Sequence, residues 1–214
     1  MAASPAERAL AGWLQEITHS GWRRARVEGA ATAAGLAPAE LIIALGDRQA
    51  AIAALLECVA TESAAAATDG ESVRERLFDG LMQGFDVLQA ERAAVLAIWQ
   101  ARDPGVAMLV AGRIGGHLRR LALLAGMSVS GLRGRARRAA LAAILWRAFA
   151  VWRQDDSADM AATMAELDRL LEKAETAAVE GVTPDLFGLP GLSTFCRRGR
   201  ATADASVAED SAGP

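Results

Sequence analysis

Tyrosine is absent from the 214 residues, lysine occurs once, and there are only two histidines, two cysteines and six prolines. Each scarcity excludes a class. Cys58 and Cys196 are too few and too far apart for a disulfide framework or a thiolate metal site, which fits a reducing compartment. His19 and His117 stand alone, with no HExxH pair, no glycine-rich phosphate loop and no nucleophile beside a plausible base. The chain therefore reads as a binding protein rather than an enzyme, with no cofactor or metal called for. Arg113, Arg119, Arg120 and Arg147 interrupt the best apolar runs, so none approaches the roughly 18 residues that span a bilayer. The start, Ser4-Pro5-Ala6-Glu7, has the order of a helix start rather than of a secretory leader, and the expected location is the cytoplasm.

What is abundant is alanine, leucine and arginine, and with β-branched residues sparse the local preference runs to helix nearly everywhere. An all-α fold is predicted, with one hydrophobic core serving the whole chain. Ser4 and Glu7 form a capping box, Pro5 suits the first helical position, and Leu10, Trp13, Leu14 and Ile17 follow at helical spacing. Gly21-Trp22 turns the chain into a second helix expected over Arg23–Ala34, and Pro38 starts a third through Leu45. Asp47 caps a longer fourth helix, and the mixed segment from Thr61 to Glu71 is taken as a subdomain boundary. Ser72 and Glu75 form a second capping box before the Leu77, Leu81, Phe85 stripe. After Asp103-Pro104-Gly105, two long helices are expected at about Val106–Ala125 and Ser130–Arg153. A last helix carries Met160, Met164, Leu167 and Leu171. Residues 1–60, 72–180 and 181–214 are thus read as a three-helix subdomain, a helical bundle and a flexible tail.

The net charge of −3 hides a segregation: nine arginines and no Asp or Glu lie between Pro104 and Gln154. The arginine excess is read as the codon bias of a GC-rich genome rather than a design for phosphate.

Three short helices with Gly21-Trp22 before the second and Ala34-Gly35-Leu36 in the tight turn resemble the helix-turn-helix of TetR regulators. In that architecture a C-terminal helical bundle binds the ligand. The helix after the turn should enter the major groove, and there it needs polar or basic side chains. Here it reads Pro38-Ala39-Glu40-Leu41-Ile42-Ile43-Ala44-Leu45, with no base, amide or hydroxyl, and Glu40 would be repelled by phosphate. Arg23, Arg24 and Arg26 are the remaining candidates for DNA contact, and a solvated helix face is the plainer account of them.

The more specific pattern lies further on. Trp152-x-x-Asp155-Asp156-Ser157-x-Asp159, followed by Ala162-Thr163-x-x-x-Leu167-Asp168-Arg169, resembles the C-terminal part of the coenzyme Q protein nine family and its proteobacterial relatives. The resemblance extends over about residues 8–175 and is concentrated in 137–170. It implies a TetR-like fold that has abandoned DNA, keeps a hydrophobic cavity, and assists ubiquinone biosynthesis by binding a lipid or isoprenoid. The chain departs from the family before Arg137-Arg138, where Gly134-Arg135-Ala136 replaces a Trp-Tyr-Thr-like patch associated with docking a hydroxylase partner. Read physically, Asp155, Asp156, Ser157 and Asp159 cap the helix that follows them.

Trp99, Leu118, Leu121, Leu145, Phe149 and Trp152 are the candidate apolar walls of a lipid site. Gly112, Gly115 and Gly116 on one helix, and Ala139, Ala140, Ala142 and Ala143 on the next, leave room beside them. Close helix packing explains the small residues equally well. The alternative function is a TetR-type repressor with a small-molecule pocket, for which a homodimer through the last two helices is expected. The tail, with Leu186, Phe187, Leu189, Phe195 and Arg197-Arg198-x-Arg200, is a candidate for peripheral contact at the inner membrane.

Overall fold

The computed structural model describes residues 3–180, and the side chains of 3–177. Among these it shows nine helices and no strand: α1 Pro5–Ser20, α2 Val27–Ala34, α3 Pro38–Ala44, α4 Arg48–Ala66, α5 Val73–Ala90, α6 Arg92–Ala101, α7 Pro104–Leu124, α8 Gly131–Trp152 and α9 Ala161–Glu180. The all-α expectation holds. The chain divides into a unit ending at Leu171 and a second beginning at Glu172, whose described part is the end of α9. The flexible tail expected over 181–214 lies outside the described residues.

Capping chemistry sets most of the boundaries. Ser4 accepts from the Glu7 N–H while Glu7 accepts from the Ser4 N–H, and Ser72 and Glu75 repeat the exchange at α5. Asp47 Oδ1 takes the N–H groups of Gln49 and Ala50 at the start of α4. Gly35 ends α2 in the left-handed conformation, φ +63°, which a side chain would strain.

Two boundaries differ from expectation, one for a tertiary reason and one through a local cap. The second helix begins only at Val27, because residues 22–25 form a turn closed by the Arg24 and Ala25 N–H groups on the Gly21 carbonyl. That turn buries Trp22. Its indole N–H donates to Asp103 Oδ2 at 2.9 Å, and the Arg48 guanidinium lies over its ring at 4.7 Å while donating to its carbonyl. The seventh helix begins at Pro104 rather than Val106, since Asp103 Oδ1 caps Gly105 and Val106. Asp103 thus joins the α1–α2 turn to the first turn of α7, and the Trp22 bond is the main cause of its lowered pKa.

The first core gathers Trp13, Leu14 and Ile17 of α1, Ala30 and Ala31 of α2, Leu41 of α3, and Ile52 and Leu55 of α4 around Trp22. Gly12 is required at the crossing of α1 and α2: a Cβ there would overlap the Ala30 carbonyl oxygen and meet Ala34 Cβ at 2.7 Å. The fourth helix continues through Thr61–Ala66, where small residues let α5 approach. A Cβ at Gly80 would stand 2.6 Å from Leu121 Cδ1 and 2.9 Å from the Ser63 carbonyl. Leu77, Leu81 and Phe85 of α5, Leu118 and Leu121 of α7, and Leu141, Ile144 and Trp152 of α8 are all buried.

Candidate functional site

The last turns of α8 carry Trp146, Phe149 and Trp152 three residues apart, which puts them on one side of the helix. Together with Trp99 of α6 they form a ladder of rings. Trp99 is 5.4 Å from both Trp146 and Phe149, and Phe149 stacks on Trp152 at 5.4 Å, which in turn meets Phe85 of α5 at 6.4 Å. These separations are those of favourable aromatic pairs, each worth about 0.5–1.5 kcal/mol beyond area burial. The ladder has a sealed end and an open one: Trp152 is wholly buried, whereas Trp99 is 37% and Trp146 60% exposed.

Polar groups fix the sealed end. The Trp152 indole donates to Gln89 Oε1 at 2.9 Å, and Arg92 lies over the same ring at 4.9 Å while donating to the Trp152 and Arg153 carbonyls. A cation on the last carbonyls of α8 satisfies orphan acceptors and complements the negative helix end. At the open end the Arg153 guanidinium covers Trp99 at 4.6 Å.

The connection from α8 to α9 is held by one carboxylate. Asp155 Oδ2 accepts from the backbone N–H and the hydroxyl of Thr163, both at 2.8 Å, while Oδ1 accepts from the Ser157 hydroxyl and N–H. Ser157 Oγ in turn accepts from the Ala161 N–H. Asp155 and Ser157 thus cap α9, as their position suggests. Asp156 instead reaches Arg92 at 3.3 Å and Asp159 is exposed. The Ser157 hydroxyl bond is the largest influence on the Asp155 carboxyl, opposed by burial and reinforced by Thr163, and its pKa is drawn down to about 2. One turn into α9, Glu166 accepts from Arg169 and from Arg147 of α8, and these bonds, Arg169 first, hold its carboxyl below the ordinary range.

The six candidate lipid-site residues therefore separate. Leu118, Leu121 and Trp152 are sealed in the interior, Leu145 and Phe149 are half-buried, and Trp99 reaches the surface. Trp146, which completes the open end, is absent from the six although its spacing from Phe149 and Trp152 is a readable signal. Gly112, Gly115 and Gly116 face open space among the described residues, with nothing within 4 Å of a Cβ placed on any of them, so they do not serve close packing there.

In the N-terminal part, the side of α3 turned to solvent carries Ala39, Ile42 and Ile43, the last 86% exposed, while Leu41 points into the core. Arg23 donates to the Ala101 carbonyl at 3.0 Å and ties the α1–α2 turn to the end of α6. Arg24 and Arg26 are exposed, and Arg26 occupies the N-cap position of α2.

A helix-turn-helix over α1–α3 followed by a helical bundle defines a protein of TetR-like architecture. Among solved structures the chain is similar to a TetR transcriptional regulator from Nitrosomonas europaea ATCC 19718, with a TM-score of 0.68 at 16% identity over 80% of this chain and 98% of that one. That likeness shows the fold alone. Residues 135–178, which hold the α8 rungs of the ladder and the Asp155 knot, match the COQ9 family model. Taken with the fold, the match supports a COQ9-family protein with a TetR-like fold. No curated protein matches.

Proposed function

We propose that the chain is an accessory protein of ubiquinone biosynthesis that binds a lipid or isoprenoid and does not read DNA. The observation that carries this reading is the aromatic ladder of α6 and α8, whose open rungs offer apolar surface: Trp146 within the COQ9-matched residues 135–178, and Trp99 of α6 outside them with Arg153 over one side of its ring. Aromatic faces suit an unsaturated isoprenoid chain because contact area is gained with few rotamers lost. Leu145 and Phe149 extend the surface inward, and Trp152, stacked on Phe149, closes it in the interior. The isoleucines on the outer face of α3 support the loss of DNA reading, since that face offers no donor or cation to a base edge or phosphate.

Docking of a quinone-biosynthesis hydroxylase would need a surface other than the one expected by resemblance. Gly134 is buried against the Val129 backbone, which a Cβ would overlap, so no larger residue fits that turn.

The test is native mass spectrometry of the protein purified from its host, followed by denaturing extraction. A polyprenyl quinone precursor or phospholipid is expected in near-stoichiometric amount, and Trp146→Ala should lower it. An empty protein, with unaltered quinone in a deletion strain, would refute the reading. The helix-turn-helix arrangement of α1–α3 leaves a second one, a repressor dimerised through its last two helices. Salt-sensitive binding to the DNA upstream of its own coding sequence would establish that alternative.

A further inference from the structure

The end of the α7–α8 hairpin brings exposed leucines and exposed arginines together on one short connection. The last turn of α7 exposes Leu123 and Leu124, and the first turn of α8 leaves Leu132 81% exposed. The connection between them is short and tied down: Gly126 and Gly131 take positive φ, Arg137 donates to the Ser128 carbonyl, and Arg76 of α5 donates twice to the Ala125 carbonyl. The leucines therefore sit on a braced turn. Around them Arg119, Arg133, Arg135 and Arg137 are exposed, inside the stretch from Pro104 to Gln154 that contains no carboxylate. Glu57 of α4 faces Arg120 at 3.8 Å, and Arg76, which also donates to the Gly70 carbonyl, sets the exposed Asp69 and Glu71 beside the turn, so carboxylates bound the basic surface on these two sides.

We propose that this hairpin end is a docking surface for an anionic lipid membrane, with the leucines entering the headgroup–acyl boundary and the arginines on the headgroup phosphates. Exposed apolar side chains ringed by cations of one sign are the arrangement that such an interface rewards, because burial and charge attraction add. A nucleic acid would use the arginines and leave three leucines in water, so the leucines favour the membrane. Cationic guanidinium groups at both helix ends of the turn would also repel a second copy of the same surface. The inference does not depend on whether a ligand is carried, and it places membrane contact in α7 and α8 rather than in the tail.

The test is co-sedimentation of the full chain with phosphatidylglycerol–phosphatidylethanolamine vesicles and with phosphatidylcholine vesicles, together with hydrogen exchange on the bound protein. Binding to the anionic vesicles alone, reversed by salt, is expected, with new protection over residues 119–137. Arg133→Ser with Arg135→Ser should weaken partitioning about 25-fold, at about fivefold per arginine. Leu132→Glu, at an exposed position that tolerates substitution, should weaken it about tenfold or more. Replacing Arg197, Arg198 and Arg200 by Ser should leave it within about twofold, the arginine contribution residing in the hairpin. Equal binding to neutral vesicles, loss of binding in the tail variant with none in the hairpin variants, or absent vesicle binding would each overturn the proposal. In the last case, hairpin variants that abolish duplex DNA binding would identify a nucleic acid as the partner. A change of oligomeric state in Leu132→Glu would identify a second copy.

Discussion

Replacing Asp155 by Ala should destabilise the protein by about 3–4 kcal/mol at neutral pH, because one buried carboxylate closes the α8–α9 connection. Its pKa falls from 3.8 to about 2 on folding. That difference corresponds to about 2 kcal/mol of preference for the folded state. Alanine also strands the hydroxyl and N–H of Thr163, a residue with no exposed surface, and a buried donor left without a partner costs about 1–3 kcal/mol. The two contributions overlap, so the total lies below their sum. A folded-state pKa below the unfolded value means that the stabilisation is complete above 3.8 and disappears as the pH falls through about 2. Urea unfolding followed by circular dichroism at neutral pH and in steps below pH 4 measures this directly. Asp155→Asn is the comparator: it keeps one carbonyl for Thr163 and should lose about 2 kcal/mol, the charge-dependent share. The midpoint of thermal unfolding should drop by about 6–16 °C in the alanine variant. A loss under about 1 kcal/mol at neutral pH, or a gap between wild type and variant that does not narrow with acidification, would refute the account.

Other expectations follow from single contacts. Gly12→Val should cost about 2–3 kcal/mol or prevent folding, since the Cβ overlaps backbone of α2 that has nowhere to move; chemical unfolding checks it. Trp152→Ala should cost about 3–5 kcal/mol by opening a cavity at the sealed end of the ladder, whereas Trp146→Ala, at a surface position, should cost under about 1 kcal/mol while lowering bound lipid. Ile43→Lys should leave thermal stability within about 0.5 kcal/mol, because the side chain points into water. Burial, then the nearby Arg120, lowers the pKa of His117, so folding favours the neutral ring. Its contribution is whole above 6.5 and should decline as the pH drops below that value. Replacing His117 with Gln should flatten that part of the stability profile.

Local chemistry made much of this protein legible from its sequence. The caps at Ser4, Asp47 and Ser72 act within three residues of themselves, and the alternation of alanine and leucine with polar residues needs only helical geometry to be read. The fold class follows from such short-range rules, as does the apolar character of α3, and the TetR-like resemblance rests on the equally local Gly21-Trp22 and Ala34-Gly35-Leu36 turns. The long-range contacts were beyond their reach. Trp22 delays the start of α2 because its indole finds Asp103, 81 residues away. Gly12 and Gly80 look like ordinary helix glycines until another helix is seen to pass against them. Asp155 reads as one of four equivalent capping residues, yet it alone of the three aspartates turns inward to Thr163, because only its side chain lies on the inner side of the turn. Spacing alone placed Phe149 and Trp152 on one side of α8 and could have added Trp146. Which rungs are sealed and which open depends on how α5 and α6 cover that side, and burial is a property of the assembled helices rather than of any one of them.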